Sequence, residues 1–196
     1  MNEDRIRWNE RYAGEDYTLG TSPSPFLAEQ LDFLLACCPG RHALDVACGE
    51  GRNSVFLARH GFRVTGIDIA ERGLEKGRAL MAKAGVVVDF RHEDLESADL
   101  GGPYDLVINF NFLLRELIPK LVAALAPGGI LLFDTILAAA HAPVPAHKDH
   151  LLKPGELGLL FSSYDGTILR VEEFPETTVP TARLMFRKAS PSAGAA

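Results

Sequence analysis

The residues with the clearest chemical potential lie in one short stretch, ALDVACGEGRN, at positions 43–53. Apolar residues lead into Asp45, and Gly49 and Gly51 then precede a segment with helical spacing. Glycines between a strand and a helix let a ligand approach the backbone, and the free N–H groups of a helix N-terminus attract an anionic group. The stretch therefore predicts a binding loop for a nucleotide-like ligand.

Two kinds of ligand fit this loop. GEGRNS approximates the G-x-G-x-x-G/A pattern of dinucleotide sites, and Asp68 follows Gly51 by 17 residues, near the offset of about 20 for a ribose-binding acid. Asp45 and Glu50 argue against a dinucleotide, because carboxylates repel a pyrophosphate. S-adenosylmethionine has no phosphate, and its ammonium and sulfonium charges complement an acidic loop. An NAD-linked oxidoreductase is therefore the alternative to a protein that binds S-adenosylmethionine.

The elements that must position these residues alternate between strand and helix. Helical spacing is found over residues 1–13, 26–38, 51–60, 70–84 and 113–126. Strand patterns are found in HALDVA, FRVTGID, VVVDF, YDLVINF and ILLFDTIL. Such alternation favours a parallel sheet with helices on both faces, because right-handed crossovers pack each helix back onto the sheet.

The pattern changes after Ala138. AAAHAPVPAHKDH has the composition of a loop, KPGELGLLF predicts a short helix, and TILRVEEF and TARLMFRK predict two strands around a turn that contains proline. Two late strands so close in sequence indicate an antiparallel pair at the edge of the sheet. Residues 189–196 lack an apolar pattern, which predicts a frayed tail.

Several of these segments together resemble the class I S-adenosylmethionine-dependent methyltransferases. LDVACGEG is similar to their motif I, GIDIA to the acidic end of their second strand, HEDLES to the segment after their third strand, and YDLVINFNFL and LAPGGILLFDT to their fourth and fifth strand regions. More narrowly, WNERYAGEDYTLGTSPSPFL, LLKPGELGLLF and LRVEEF resemble the tellurite-resistance type of small-molecule methyltransferases.

The resemblance implies one α/β domain over residues 1–196, with a Rossmann-like, seven-stranded and mostly parallel sheet. Its last strand is expected to be antiparallel, with helices on both faces of the sheet. The expected parts are an N-terminal helical cap at 1–38, a cofactor-binding core at 40–138, a substrate-side loop with the terminal strands at 139–188, and a tail at 189–196.

The resemblance also assigns residues to the cofactor S-adenosylmethionine, which leaves as S-adenosylhomocysteine. The methionine-binding loop is matched by Asp45, Gly49 and Gly51, the ribose-binding acid by Asp68, and the adenine contacts by Asp94 and Leu95. Ala47 stands where motif I has its first glycine, so a slightly tighter turn is expected without loss of binding. The full cofactor set is Arg11, Tyr12, Asp45, Ala47, Gly49, Gly51, Asp68, Ile69, Asp94, Leu95 and Asn109.

Aspartates such as Asp68 and Asp94 are also common as caps of helices and turns. Trp8 and Tyr12 at helical spacing are expected to pack together. In the family, the helix that carries Arg11 and Tyr12 lies over the methionine end of the cofactor.

The acceptor side is predicted from the segment after the fourth strand. The substrate-facing candidates are Asn109, Phe110, Phe112 and Arg115, and Leu113 and Leu114 should add to an apolar front. Positive charge at the rim is expected from Arg115, Lys148 and the loop that carries His141, His147 and His150. A small acceptor follows, with chalcogen oxyanions such as tellurite or selenite suggested by the narrower resemblance.

The predicted reaction is an in-line displacement that depends mainly on alignment and on exclusion of water, so no dedicated base is required. A non-catalytic module is a further alternative, since it would keep the cofactor loop but lack a substrate chamber.

Composition excludes several classes of protein. A formal net charge of −6 argues against a nucleic-acid partner, which requires a basic face. Three cysteines without metal-ligand spacing predict no disulfide framework and no metal, and fit a reducing cytoplasm. The charged N-terminus lacks a signal-peptide core, and no apolar run reaches the roughly 20 residues of a membrane helix. A cytoplasmic monomer or homodimer that acts on a small molecule is expected.

Overall fold

The computed structural model describes residues 2–139 and 150–190. Its helices are α1 (Asn2–Arg11), α2 (Pro25–Glu29), α3 (Leu31–Cys37), α4 (Arg52–Arg59), α5 (Glu71–Ala84), α6 (Ile118–Ala124) and α7 (Glu156–Phe161), with a 3₁₀ turn at Arg115–Leu117. Its strands are β1 (His42–Val46), β2 (Arg63–Asp68), β3 (Val88–His92), β4 (Tyr104–Phe110), β5 (Leu125–Ile136), β6 (Gly166–Phe174) and β7 (Thr181–Lys188).

The strands form one seven-stranded sheet in the order β3-β2-β1-β4-β5-β7-β6. Strands β1 to β5 pair in parallel, whereas β7 is antiparallel to both of its neighbours, β5 and β6. The predicted mostly parallel sheet with an antiparallel last strand is therefore confirmed. The two terminal strands do form an antiparallel pair at the edge, with β7 inside and β6 outermost.

Two apolar cores cover the two faces of the sheet. Successive residues of β4 show this division, since Leu106 and Ile108 pack with the helices α2 to α5, and Val107 packs with α6 and α7. Strands buried on both faces carry continuous apolar runs instead of alternating patterns. The uninterrupted apolar runs in β1, β4 and β5 agree with burial on both faces of the sheet.

Two predicted helices differ from the observed ones. The helix predicted over 26–38 is divided into α2 and α3 at Gln30, whose ψ of 0° leaves the helical range. The helix predicted over 113–126 starts as a 3₁₀ turn at Arg115, and α6 begins only at Ile118. Pro119 explains this start, because proline lacks an N–H group and fits the first helical turn.

The third and fifth strands also differ from their predicted bounds. Val86 belongs to the end of α5, since Gly85 has a left-handed φ of 68° and the Val86 N–H donates to the Met81 carbonyl. Strand β3 therefore begins at Val88. Strand β5 begins at Leu125, before the predicted PGG turn, and the register with β4 shifts there. In the part of the chain that the structure describes, every helix is too short or too polar to cross a membrane.

Candidate active site

The predicted core residues meet at one edge of the sheet, where the parallel strands have their carboxyl ends. Asp45 lies next to the end of β1, Asp68 ends β2, and Asn109 lies next to the end of β4. Val46 pairs with Asn109 across the β1–β4 ladder, so the loop after β1 and the end of β4 are adjacent. Open parallel sheets bind ligands outside this edge.

The loop after β1 combines unusual backbone conformations with close packing. Ala47, Gly49 and Gly51 have φ values of 52°, 54° and 76°, all in the left-handed region. A Cβ atom at Gly49 would lie 2.7 Å from the Tyr12 hydroxyl, and one at Gly51 would lie 2.6 Å from the Phe90 ring. A slightly tighter turn was expected at Ala47. The structure shows a left-handed backbone there, which a glycine would adopt without strain but an alanine does not.

Asp68 is held in place by the backbone around it. The Gly49 N–H donates to its Oδ2 at 2.7 Å, and the Ala70 N–H donates to its Oδ1 at 2.8 Å. Burial raises the pKa of this carboxyl above its usual value, although these two hydrogen bonds oppose the shift. Each oxygen keeps a second lone pair, so Asp68 stabilises the loop and can still accept hydrogen bonds from hydroxyl groups.

Asp45 is buried and accepts a short hydrogen bond from the Ser54 hydroxyl at 2.5 Å. Burial, together with the negative charge of Asp68, raises the pKa of Asp45 to about 7 against the opposing hydrogen bonds from Ser54. A carboxylate in this environment gains most from a cationic ligand group, because the cation offsets the cost of burying the charge.

Glu50 has a different role from the one predicted. Its carboxylate forms an ion pair with Lys76 Nζ at 2.8 Å and accepts the Thr18 N–H at 2.7 Å. It therefore ties the N-terminal segment to α5 and does not contribute an uncompensated charge to the loop. The electrostatic argument against a pyrophosphate therefore rests on Asp45.

Of the two N-terminal candidates, the structure brings Tyr12 to the loop and leaves Arg11 outside. Tyr12 lies against Gly49 and Gly73, and burial beside Asp68 raises the pKa of its hydroxyl. Trp8 stacks on Tyr12 with the ring centres 5.5 Å apart, as the helical spacing predicted. Arg11 is exposed and lies over the outer ring of this stack, 5.1 Å from the Trp8 ring centre.

The loop after β3 begins beside Asp68, where the Glu93 N–H donates to the Asp68 carbonyl at 3.1 Å. Asp94 accepts the Glu96 N–H at 3.1 Å, and this bond lowers the pKa of its carboxyl. The predicted turn cap is thus present. Ile69, which follows Asp68 in the chain, is half-buried. Leu95 is buried and borders a surface cavity of about 460 Å³, lined by Leu95, Glu96, Leu114, Glu116, Leu117 and Lys120.

The acceptor candidates after β4 do not form one apolar front. Asn109 is buried, and its Nδ2 donates to the Phe112 carbonyl at 2.7 Å, which closes the loop. Phe110 packs on the α2 side of the sheet, with its ring centre 6.3 Å from that of Phe26, whereas Phe112 packs with the opposite core. The left-handed φ of 56° at Asn111 ends the strand and separates the two rings.

Arg115, predicted as a positive charge at the rim of the acceptor site, pairs with a carboxylate. Its guanidinium donates to both carboxylate oxygens of Glu156, at 2.7 and 2.9 Å, and to the Leu151 carbonyl at 2.9 Å. This contact connects the segment after β4 to the start of α7. Lys148, His141 and His147 lie outside the described residues, and His150 is the first described residue after them.

The sequence analysis missed Asp134, a buried acid near the end of β5. Arg183 Nε donates to its Oδ2 at 3.1 Å, while its Oδ1 is buried without a hydrogen-bond partner among the described residues. Burial raises the pKa of Asp134 to about 6, although Arg183 and Arg52 oppose the shift. A signal was present in ILLFDTIL, where an aspartate interrupts an apolar run at the carboxyl end of a strand.

Comparisons with known proteins agree with this arrangement. A family model described as a methyltransferase domain matches residues 43–129. A curated relative, the ubiquinone biosynthesis O-methyltransferase of Bordetella avium, is 32% identical over 157 residues, which cover 68% of this chain and 65% of the relative. The chain thus spans less than two thirds of that relative's length. The narrower resemblance to the tellurite-resistance type is not confirmed.

Solved structures share the fold at low sequence identity. A structure from work on the conversion of a disulfide bond into a thioacetal group during echinomycin biosynthesis has a TM-score of 0.74 at 21% identity, with 98% of this chain and 92% of that chain covered. The 1,6-didemethyltoxoflavin-N1-methyltransferase of Burkholderia thailandensis, solved with S-adenosylhomocysteine, has a TM-score of 0.70 at 19% identity, with 95% and 87% covered. These likenesses confirm the predicted fold class.

Proposed function

We propose that the chain is a class I S-adenosylmethionine-dependent methyltransferase that methylates a hydroxyl oxygen of a small, uncharged and largely apolar acceptor. The cofactor of this family is S-adenosylmethionine, which when bound supplies a methyl group on a positively charged sulfur. The residues of the site fit this cofactor, since a glycine loop lies between two buried carboxylates, Asp45 and Asp68.

These two carboxylates are the observation that carries the proposal. Asp45 would hold the ammonium group of the methionine part, and Asp68 would accept hydrogen bonds from the ribose hydroxyls. Asp94 and Leu95, which begin the neighbouring loop, would contact the adenine. A pyrophosphate would instead meet the buried charge of Asp45, so the NAD-linked oxidoreductase is disfavoured.

The acceptor is argued from the charges on the other side of the site. Arg115 and Arg183 both pair with carboxylates, and Asp134 adds a buried acid near the end of β5. An oxyanion would be repelled by Asp134, so the chalcogen oxyanions suggested earlier are not supported. A neutral hydroxyl compound avoids this repulsion, and the curated relatives are named O-methyltransferases of ubiquinone biosynthesis. The ring of Phe110 beside Phe26 suits an aromatic acceptor.

The residues of the chain contribute mainly by alignment and by exclusion of water. Tyr12 covers the loop at Gly49, and the Lys76–Glu50 pair holds the N-terminal segment that carries it. Asn109 fixes the turn after β4 through its bond to Phe112. Holding two reactants in line lowers the barrier without a covalent intermediate on the protein.

Calorimetric titration with S-adenosylhomocysteine and with NADH tests the cofactor, and release of S-adenosylhomocysteine in the presence of phenols, amines, thiols and oxyanions tests the acceptor. We expect binding of S-adenosylhomocysteine but not of NADH, and turnover with phenols. Preference for NADH would refute the cofactor assignment. Binding without turnover of any acceptor would indicate a non-catalytic module, and turnover with amines or oxyanions alone would refute hydroxyl methylation.

A further inference from the structure

Asp134 belongs to a row of side chains that crosses four neighbouring strands. Phe110 on β4 pairs with Asp134 on β5, Asp134 pairs with Arg183 on β7, and Arg183 pairs with Glu172 on β6. Residues that pair directly across neighbouring strands share a face of the sheet. Asp134 is therefore beside Phe110, the residue at the end of β4.

The order of the strands relates this row to the ligands of the proposed function. The acids assigned to adenine, ribose and methionine follow β3, end β2 and lie near the end of β1, in that order across the sheet. The next strands in the same direction are β4 and β5, which end near Asn109 and Asp134. A cofactor laid along the first three strands would place its methyl group toward β4, so an acceptor would lie over β4 and β5.

The side chains around Asp134 hold one of its oxygens and leave the other one unpaired. Arg183 lies between two aromatic rings, 5.2 Å from the Phe26 ring centre and 4.9 Å from that of Phe174, and donates to Oδ2 only. Oδ1 is buried and has no hydrogen-bond partner within residues 2–139 and 150–190. A buried oxygen without a partner is costly, and such groups are found where a ligand is to be bound.

We propose that Asp134 is a catalytic residue that accepts the hydroxyl proton of the acceptor through Oδ1, an inference that rests on the proposed function. As the acceptor oxygen forms its bond to the methyl carbon, the methyl–sulfur bond breaks and its electron pair stays on sulfur. The O–H bond of the acceptor breaks and its proton passes to Oδ1. The proton is released to water when the methylated product leaves, which restores the carboxylate.

The charges that face Asp134 suit this role. Arg183 on β7 and Arg52 on α4 favour its ionised form, Glu29 on α2 disfavours it, and burial has the largest effect. The resulting pKa of about 6 leaves the group ionised at neutral pH but more basic than an exposed aspartate. A proton acceptor is most effective when its pKa lies near the working pH.

A purely structural role for Asp134 would predict that its replacement lowers the melting temperature, whereas we expect the opposite. An acid whose pKa is higher in the folded than in the unfolded chain destabilises the fold when it ionises, so Asp134→Asn should not lower the melting temperature at neutral pH. Glu172→Gln is the matched control, because Glu172 lies in the same row and also has a buried oxygen without a hydrogen-bond partner among the described residues, but lies two strands away from Asp134 on the outermost strand. It should leave turnover unchanged.

The test compares catechol with 4-nitrocatechol, whose hydroxyl is already ionised in mildly alkaline buffer. For Asp134→Asn we expect a fall of about 100-fold or more in kcat with catechol, no fall with 4-nitrocatechol, whose anion is no longer repelled by Asp134, and unchanged binding of S-adenosylhomocysteine. The wild-type rate with catechol should decline as the pH falls through about 6, and the variant should lack this decline.

Equal losses with both phenols, or no loss with catechol, would overturn the role of Asp134 while leaving hydroxyl methylation intact. If the wild-type protein binds S-adenosylhomocysteine but methylates neither phenol, hydroxyl methylation fails and this inference fails with it. Should Asp134→Asn not fold, Asp134→Glu keeps a carboxylate at this position and should retain the turnover of catechol and the acidic decline. Loss of both features in a folded Asp134→Glu protein would also overturn the proposal.

Discussion

The aspartates at the carboxyl edge of the sheet have the same side chain but three different environments. Asp68 accepts two backbone N–H groups, Asp45 accepts one hydroxyl, and Asp134 is half-paired with Arg183. Burial raises the pKa of each of them. The ligand group that each aspartate can bind therefore differs, and we assign hydroxyl groups to Asp68, a cation to Asp45 and a proton to Asp134.

Ala47 is a residue-scale test of backbone strain. Its φ of 52° costs an alanine about 1–2 kcal/mol. A glycine avoids this cost but destabilises the fold by about 0.4–1 kcal/mol, because the unfolded chain then has more conformational entropy to lose. Ala47→Gly should therefore stabilise the fold by about 0.5–1 kcal/mol and raise the melting temperature by about 1–4 °C. Ala123→Gly, on the exposed side of α6, is the control and should lower it. A lower melting temperature for Ala47→Gly would mean that the packing of its methyl group outweighs the strain.

At the scale of elements, two ion pairs attach the less regular segments to the sheet core. Glu50 and Lys76 join the N-terminal segment to α5, and Lys76 also donates to the Asp16 carbonyl. Arg115 and Glu156 join the segment after β4 to α7. Glu156 also accepts the Lys153 N–H at 2.7 Å and so holds the turn that precedes the helix it begins. Both pairs connect segments that are distant in the sequence.

Arg115→Met tests whether the second of these pairs is structural. We expect a loss of about 1 kcal/mol in the free energy of unfolding, because the pair is partly exposed and its charge-assisted bonds are screened by solvent. Binding of S-adenosylhomocysteine and the KM for the acceptor should not change. A double-mutant cycle with Glu156→Gln should show that most of this loss is coupling energy between the two side chains. A raised KM without loss of stability would instead restore Arg115 to the substrate rim.

At the scale of the whole molecule, the buried acids make the stability of the ligand-free protein depend on pH. The folded-state pKa values of Asp45 and Asp134, about 7 and about 6, lie above the ordinary aspartate value. The unfolded chain therefore releases these protons at lower pH than the folded chain. The stabilisation by their protonated forms is present at low pH and is lost as the pH rises toward 7.

Asp45→Asn isolates the larger of these shifts. Its stability relative to the wild type should increase between about pH 5 and pH 7, with a slope that approaches about 1.4 kcal/mol per pH unit. Chemical denaturation at several pH values measures this difference. Thr65→Val, on the neighbouring strand β2, changes a buried residue that has no ionisable group, so it serves as the control and should give a flat difference over the same range. A flat difference for Asp45→Asn would show that its pKa is not raised.

The sequence by itself determined most of the elements and the glycine loop after β1. Apolar runs, glycine positions and helical spacing depend on neighbours within a few residues, so they predicted the alternation of strands and helices and the aspartates at the ends of β1 and β2. The antiparallel pair of strands at the edge followed from two strand patterns too close together for a crossover. These features are local, so the neighbouring residues in the sequence are enough to predict them.

Only the tertiary structure decided the partners of the charged side chains and the face that each ring occupies. Glu50 and Arg115 pair with residues 26 and 41 positions away, and no local pattern records such distances. Phe110 and Phe112 would share a face in a continuous strand, but the left-handed Asn111 turns the chain between them. Asp134 acquires its half-paired, buried state only when β7 inserts beside β5 and brings Arg183 against it. Burial and pairing are properties of the folded chain, which is why the sequence predicted the cofactor side more fully than the acceptor side.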